Sequence, residues 1–168
     1  MQPTTTPPAV FETAPPAYLF LGVRMRVLLS ARQTGGQFSM IEGVVPPGGD
    51  GGLHLHLRED ESMHLLEGEL EVTIGEERLM LKAGSSYFAP RAVPHRLRNR
   101  SAAPARTIAV MTPGGFDELI AQAGTPLSDQ PPAAGPPSPE QIAQLLQLAE
   151  AFGIRVIEPP AAVPATAC

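Results

Sequence analysis

The stretch Gly48-Gly49-Asp50-Gly51-Gly52-Leu53-His54-Leu55-His56-Leu57-Arg58-Glu59-Asp60-Glu61 decides the fold of this chain. Five residues separate Gly48 from His54, one separates His54 from His56, four lead on to Glu61, and six more reach Gly68. A second block begins at Gly84, with five residues before Pro90, four before His95 and three before Asn99. His54, His56, Glu61 and His95 together offer three imidazole nitrogens and one carboxylate. That is a ligand set for a first-row transition metal, with coordination positions left over for water or substrate.

Side chains alternate between the two faces of a strand, so strand parity tests whether the four can meet. His54 and His56 share a face, and Leu53, Leu55 and Leu57 share the other. After the charged turn Arg58-Glu59-Asp60, the residues Glu61, Met63 and Leu65 fall on one face. Arg96, Arg98 and Arg100 call for solvent, which turns His95 and Leu97 inward. All four polar residues therefore converge on one interior. Three imidazoles and a carboxylate buried with no partner are costly, and a bound cation removes much of that cost.

The sequence around these blocks reads as many short strands without intervening helices, a pattern for a sandwich or barrel. Candidate strands are 18–22, 24–30, 37–45, 52–57, 62–66, 69–74, 78–81, 86–89, 95–99 and 106–111. Pro46-Pro47-Gly48-Gly49 and the segment from Pro90 to Pro94 break strands strongly. Two helices are expected afterwards. One runs over Phe116–Ala123, with Gly124 as its stop. The other begins at Ser138-Pro139-Glu140-Gln141, a capping-box start with proline at the first helical position. There Ile142, Leu145, Leu146, Ala149 and Phe152 recur at helical spacing, and Gly153 ends the run.

The two blocks resemble the paired motifs of the cupin superfamily. Gly48, His54, His56, Glu61 and Gly68 match every position of the first motif. Gly84, Pro90, His95 and Asn99 match the second, but Ala92 stands where that motif has glycine. The departure touches a tight turn beside the site and removes no ligand. The likeness extends over about residues 18–115 and is most similar to small single-domain, quercetin-dioxygenase-like bacterial cupins. It implies an all-β, jelly-roll β-barrel with a C-terminal α-helical appendage. It further implies that His54, His56, Glu61 and His95 hold one divalent transition metal, with Glu61 also taking a proton from bound substrate.

The expected division is an extended arm over 1–16, a barrel over 17–115, and C-terminal helices, a Pro-rich linker and a tail over 116–168. The first sixteen residues hold five prolines and little periodicity. Parity lines a provisional pocket with Phe38, Met40, Met63, Leu65, Val72 and Leu97, joined by Leu70 and Ile74. An apolar lining suits an aromatic or otherwise mostly apolar substrate. The same residues also suit a small barrel that is merely filled.

Other residues carry less. His64 has the wrong parity for the site. Glu59 and Asp60 read as a polar turn, although either replaces Glu61 if that turn shifts by one residue. The run Arg91, Arg96, Arg98, Arg100 reads as a solvated face rather than an anion-binding one. Leu53, Leu55 and Leu57 form an outward stripe that something covers: the arm, the C-terminal helix or a second barrel, with a homodimer favoured.

A net charge of -5 and a pI near 5.3 argue against nucleic acid or anionic membrane as partners. The apolar stretch from Tyr18 to Leu29 is interrupted by Arg24 and Arg26 and too short to span a bilayer. The single cysteine, Cys168, excludes an internal disulfide and points to the cytoplasm. The ligand set does not choose among iron, manganese, nickel, zinc, cobalt and copper. The expected function is a metal-dependent, dioxygenase-like oxidoreductase acting on a small aromatic or enolisable substrate. The alternatives are a non-catalytic, metal-anchored binding or sensing module and a metal-dependent isomerase or lyase.

Overall fold

In the computed structural model, which describes residues 10, 14–128 and 137–160, ten short strands follow one another before the first helix. They are β1 (Ala17–Phe20), β2 (Val23–Leu29), β3 (Ser39–Val45), β4 (Leu53–His56), β5 (Asp60–Glu67), β6 (Glu69–Ile74), β7 (Glu77–Lys82), β8 (Ser86–Ala89), β9 (His95–Arg98) and β10 (Ala105–Thr112). Each falls within a residue or two of an expected strand. Gly and Pro punctuate the chain where a ladder cannot continue, and alternating apolar runs fill the gaps. Helix α1 (Phe116–Ala123), a two-residue strand β11 (Thr125–Pro126), helix α2 (Pro139–Ala149) and strand β12 (Ile154–Glu158) complete the fold.

The strands form two antiparallel sheets. One has the order β11-β1-β2-β3-β10-β5-β8, and the other β12-β4-β9-β6-β7. Inward residues of both sheets pack into one cluster, with Val45 and Leu65 from the first sheet against Leu70, Val72 and Leu81 from the second. This is the expected all-β jelly roll. A second cluster lies towards the helices, where Leu119 and Ile120 of α1 and Leu145 and Ala149 of α2 meet Phe20, Ile41 and Met111.

Both helices form where the sequence places them, but α2 ends at Ala149, short of the expected stop at Gly153. Ser138 accepts a hydrogen bond from the Gln141 N–H, and the Gln141 side chain accepts from the Ser138 N–H. On α2 it is Leu145 and Ala149 that are buried, and Leu146 stays 46% exposed. Gly124 stops α1 for want of space rather than for a left-handed turn. Its φ is -84°, and a Cβ there would sit 2.5 Å from the Ile120 carbonyl oxygen.

The segment after residue 115 is more than helices, linker and tail. Thr125–Pro126 pairs with β1, and Ile154–Glu158 pairs with β4, the strand that carries His54 and His56. The β-branched run Ile154-Arg155-Val156-Ile157 favours a strand, and β4 supplies it with a partner edge. The arm expected over 1–16 and the C-terminal tail lie almost wholly outside the described residues.

Candidate metal centre

Strand register brings the four motif residues together. His54 lies directly opposite His95 across the β4–β9 ladder, and their rings are 4.5 Å apart. The His56 ring is 5.2 Å from His54 and stacks 5.4 Å from His95. One ligand atom from each of His54, His56, Glu61 and His95 lies within 4.8 Å of the others. Glu61 Oε2 stands 3.6 Å from His56 Nε2 and 3.5 Å from His95 Nε2.

What suits this cluster to a metal ion is the way each imidazole is tied at its other nitrogen. His54 Nδ1 lies 3.2 Å from the Gly52 carbonyl oxygen, and His95 Nδ1 lies 3.0 Å from that of Val93. A carbonyl oxygen can only accept, so both Nδ1 atoms carry the hydrogen and both Nε2 atoms present a lone pair. His56 Nδ1 donates in the same way to Glu59 Oε2 at 2.9 Å. The Nε2 atoms of His56 and His95 are buried and have no hydrogen-bond partner. Unsatisfied buried nitrogens are rare and costly. Lone pairs converging beside an ionised carboxylate are what a divalent cation would satisfy, so the residues present fit the ion.

The charges agree with this reading. Burial first, and then the neighbouring His95 and His56, holds the His54 pKa down to about 3, so this ring is neutral at physiological pH. Burial pushes the Glu61 carboxyl up. The close approach of His95 and of the other imidazoles outweighs that and brings it below the usual carboxylate range. His95 moves the other way: burial lowers it, but contact with Glu61 more than restores it. Glu61 is therefore the fixed negative charge of the site.

Two supporting residues were not foreseen. Glu59, expected as part of a polar turn or as a substitute for Glu61, is buried and is a positioning residue. Its Oε2 accepts from His56, and its Oε1 accepts at 2.7 Å from the Phe116 N–H at the start of α1. The only sequence signal was an acid three residues after a ligand histidine. Tyr87 on β8 donates its hydroxyl to Glu61 Oε1. That contact follows from the β5–β8 register, which pairs Met63 with Tyr87, and no local pattern announces it.

The remaining expectations can be placed one by one. His64 faces outward, exposed, against the Ser86 hydroxyl at 2.8 Å. Asp60 binds Arg91 through both carboxylate oxygens and takes no part in the cluster. The other arginines form no free cationic face: Arg96 and Arg98 bind Asp50, and Arg100 binds Glu71. Leu55 is buried within the single chain, and Leu57 remains 47% exposed.

A cavity of about 120 Å³ opens on the site and is lined by His54, Glu61 and His95. Met63 and Leu97 line it as expected. Leu65 and Val72 lie instead in the packed core between the sheets, 0% and 1% exposed. Phe38 and Met40 are not part of the wall. Strand β3 starts at Ser39, and its buried set is Ser39, Ile41, Gly43 and Val45, so Met40 has the opposite parity. Ile41, Gly43 and Val45 line the cavity in their place. A one-residue change in register flips every side chain of a strand.

A model of the cupin domain matches residues 42–111, the span from β3 to β10 that carries all four clustered residues. Residues 42–111 carry a cupin domain. This cupin is 31% identical over 122 residues to quercetin 2,3-dioxygenase of Bacillus subtilis (strain 168), a match covering 70% of this chain and 35% of that protein. It is 29% identical over 118 residues to the tetracenomycin polyketide synthase protein TcmJ of Streptomyces glaucescens, covering 69% of this chain and 78% of the relative. A solved structure described as a predicted oxalate decarboxylase from Thermotoga maritima superposes with a TM-score of 0.54 at 26% identity, over 60% of this chain and 93% of that one. The chain spans between 19% and 60% of the length of the other curated relatives it matches. No helix among the described residues is long and apolar enough to cross a membrane.

Proposed function

We propose that this cupin is a metal-dependent, dioxygenase-like oxidoreductase acting on a small aromatic or enolisable molecule. The observation that carries the reading is the pair of buried, unpartnered Nε2 atoms of His56 and His95, beside the ionised Glu61, opening on an apolar cavity. His54, His56, Glu61 and His95 would hold the ion. A bound divalent ion supplies Lewis acidity there and, if redox-active, a route for electrons between substrate and dioxygen. The likeness to quercetin 2,3-dioxygenase over 70% of the chain supports the reaction class.

This chain's own groups supply the rest. Glu61 takes the proton of an acidic hydroxyl or of the carbon beside a carbonyl. Tyr87 holds one Glu61 oxygen, which leaves Oε2 turned towards the histidines. The apolar wall keeps water from competing for the proton and strengthens every charge interaction inside.

Oxygen uptake by iron-, manganese- and nickel-loaded protein, measured with catechols, flavonols and hydroxyketones, tests the proposal. Substrate-dependent uptake is expected. If no metal form consumes oxygen or converts a panel member, the oxidoreductase reading is overturned. Binding without turnover would favour the metal-anchored binding module. Glu61→Gln should lower the rate by about 10²–10⁴-fold, with metal content measured on the same sample. Full retention of rate would remove its role as proton acceptor.

The proposal includes a homodimer. Its support is the apolar side chains on two of the edge strands, with Leu79 and Met80 of β7 and Phe88 of β8 42%, 54% and 56% exposed. A monomer in analytical ultracentrifugation at micromolar concentration would sink it. It also places the protein in the cytoplasm, where a chain with one cysteine has no use for an oxidising compartment. Cell fractionation tests that.

A further inference from the structure

We infer that the cavity selects a ligand about the size of one six-membered ring, polar only at the end that meets the histidines, and that the C-terminal segment sets this limit. The inference rests on the proposed metal site and deepens it by naming the substrate class. Size is the first argument. The cavity is about 120 Å³, and an apolar cavity of ~150 Å³ takes a single benzene ring. A three-ring flavonol exceeds that space.

Charge is the second argument. No lysine or arginine lines the cavity. Its polar side chains beyond the ligands are already engaged: Tyr87 donates to Glu61, and the Thr107 hydroxyl donates to the Gly43 carbonyl at 3.4 Å. A carboxylate, phosphate or sugar hydroxyl at the far end of a ligand would find no partner there and would lose its hydration. Only the atoms that reach the histidines and Glu61 can be polar.

The wall is the third argument. Leu145 of α2 and Ile154 and Val156 of β12 line the cavity, although all three lie far outside the paired motifs. β12 is anchored beside the ligand strand, with Ile154 opposite His56 and Val156 opposite His54. Leu21 closes another side from the two-residue turn between β1 and β2. Its φ is 50°, a backbone conformation that Asn or Gly ordinarily supplies in such a turn. A leucine is held there where its side chain faces the cavity. The selection is therefore built by segments that the metal ligands do not require.

Cobalt(II)-loaded protein tests this, because its visible absorption responds when a ligand enters the metal's coordination shell. The probes are catechol, protocatechuate (the same ring with a distal carboxylate) and quercetin. Wild type should bind catechol at least about tenfold more tightly than either of the others, a discrimination within the usual range for pocket shape and unpaired polar groups. Leu145→Ala should tighten quercetin binding by about tenfold and change catechol by less than about threefold. If Leu145→Ala fails to fold, Val156→Ala carries the same expectation.

Quercetin or protocatechuate binding wild type as tightly as catechol would overturn the inference, as would cobalt-loaded protein that binds none of the three. Elemental analysis of the same samples separates the two readings. Protein that takes up no cobalt overturns the metal site itself. Protein that binds cobalt and catechol but consumes no oxygen in any metal form overturns only the reaction class.

Discussion

Ala92 stands where the second motif ordinarily has glycine, and its φ of 64° shows why glycine is usual there. The turn keeps its left-handed conformation because the Ala92 N–H donates to the His56 carbonyl at 2.7 Å. A left-handed non-glycine residue costs about 1–2 kcal/mol, and Ala→Gly gives back about 0.4–1 kcal/mol through the unfolded chain. Strain wins by a small margin, so Ala92→Gly should raise stability by about 0.5–1 kcal/mol. Urea unfolding measures it, and an unchanged midpoint would mean that the turn carries no strain. Glu59 offers a second test at this scale. In Glu59→Gln the amide has one oxygen for two donors, so either His56 or Phe116 loses its acceptor. Metal affinity should fall about 10–100-fold while the circular dichroism spectrum is kept. Competition with a chromophoric chelator reads the loss, and unaltered affinity would show that the Glu59–His56 bond does not tune the ligand.

Strand β12 shows how an element can be overlooked and still shape the site. Its five residues follow a helix and carry too little periodicity to be separated from a tail. Only the free edge of β4 gives their backbone groups partners. Charge fastens it as well. Arg96 binds Asp50 with both ends of its guanidinium at 2.9 and 2.6 Å, and Glu158 of β12 at 2.7 Å. Asp50 is largely shielded from solvent, so loss of Arg96 leaves a poorly compensated carboxylate with Arg98 as its remaining partner. Arg96→Ala should cost about 1–3 kcal/mol, between the values for an exposed and a fully buried pair. Hydrogen exchange should show β12 opening before the other strands of its sheet. Uniform protection across that sheet would argue against a specific fastening of β12.

At the scale of the whole molecule, acid and metal act on the same folded state. Hydrogen bonding to Arg91 holds the partly exposed Asp60 at about 2, below its ordinary 3.8. A folded-state pKa below the unfolded one adds stability that is present above the unfolded value and lost as pH falls through the folded one. Asp60 therefore contributes above about pH 4 and ceases to by about pH 2. Asp60→Asn should flatten the wild-type stability curve across that window. An identical slope in the two proteins would remove Asp60 as a cause. A metal held at the proposed site would act by mass action: at 100 times its dissociation constant, an ion that binds only the folded state adds about 2.7 kcal/mol. Thermal unfolding should shift upward with added ion and return with chelator. A melting temperature indifferent to both would count against the site.

The order of the strands, the four clustered residues and both helices were legible in the sequence, because each rests on local periodicity. Alternation along a strand sets the face of His54 and His56 whatever lies across from them, and Ser138 and Gln141 cap a helix from within four residues. The cavity was not legible in that way. Whether Met40 or Ile41 faces it depends on the register of β3 against β2 and β10, and a shift of one residue inverts the answer. Glu59, Tyr87, Leu145 and Val156 reach the site through contacts that span between three and about a hundred residues of chain. Local pattern was enough to group His54, His56, Glu61 and His95 and to indicate the jelly roll. What supports those four residues and how large a molecule can reach them follow from tertiary contacts, because those contacts join parts of the chain that share no local pattern.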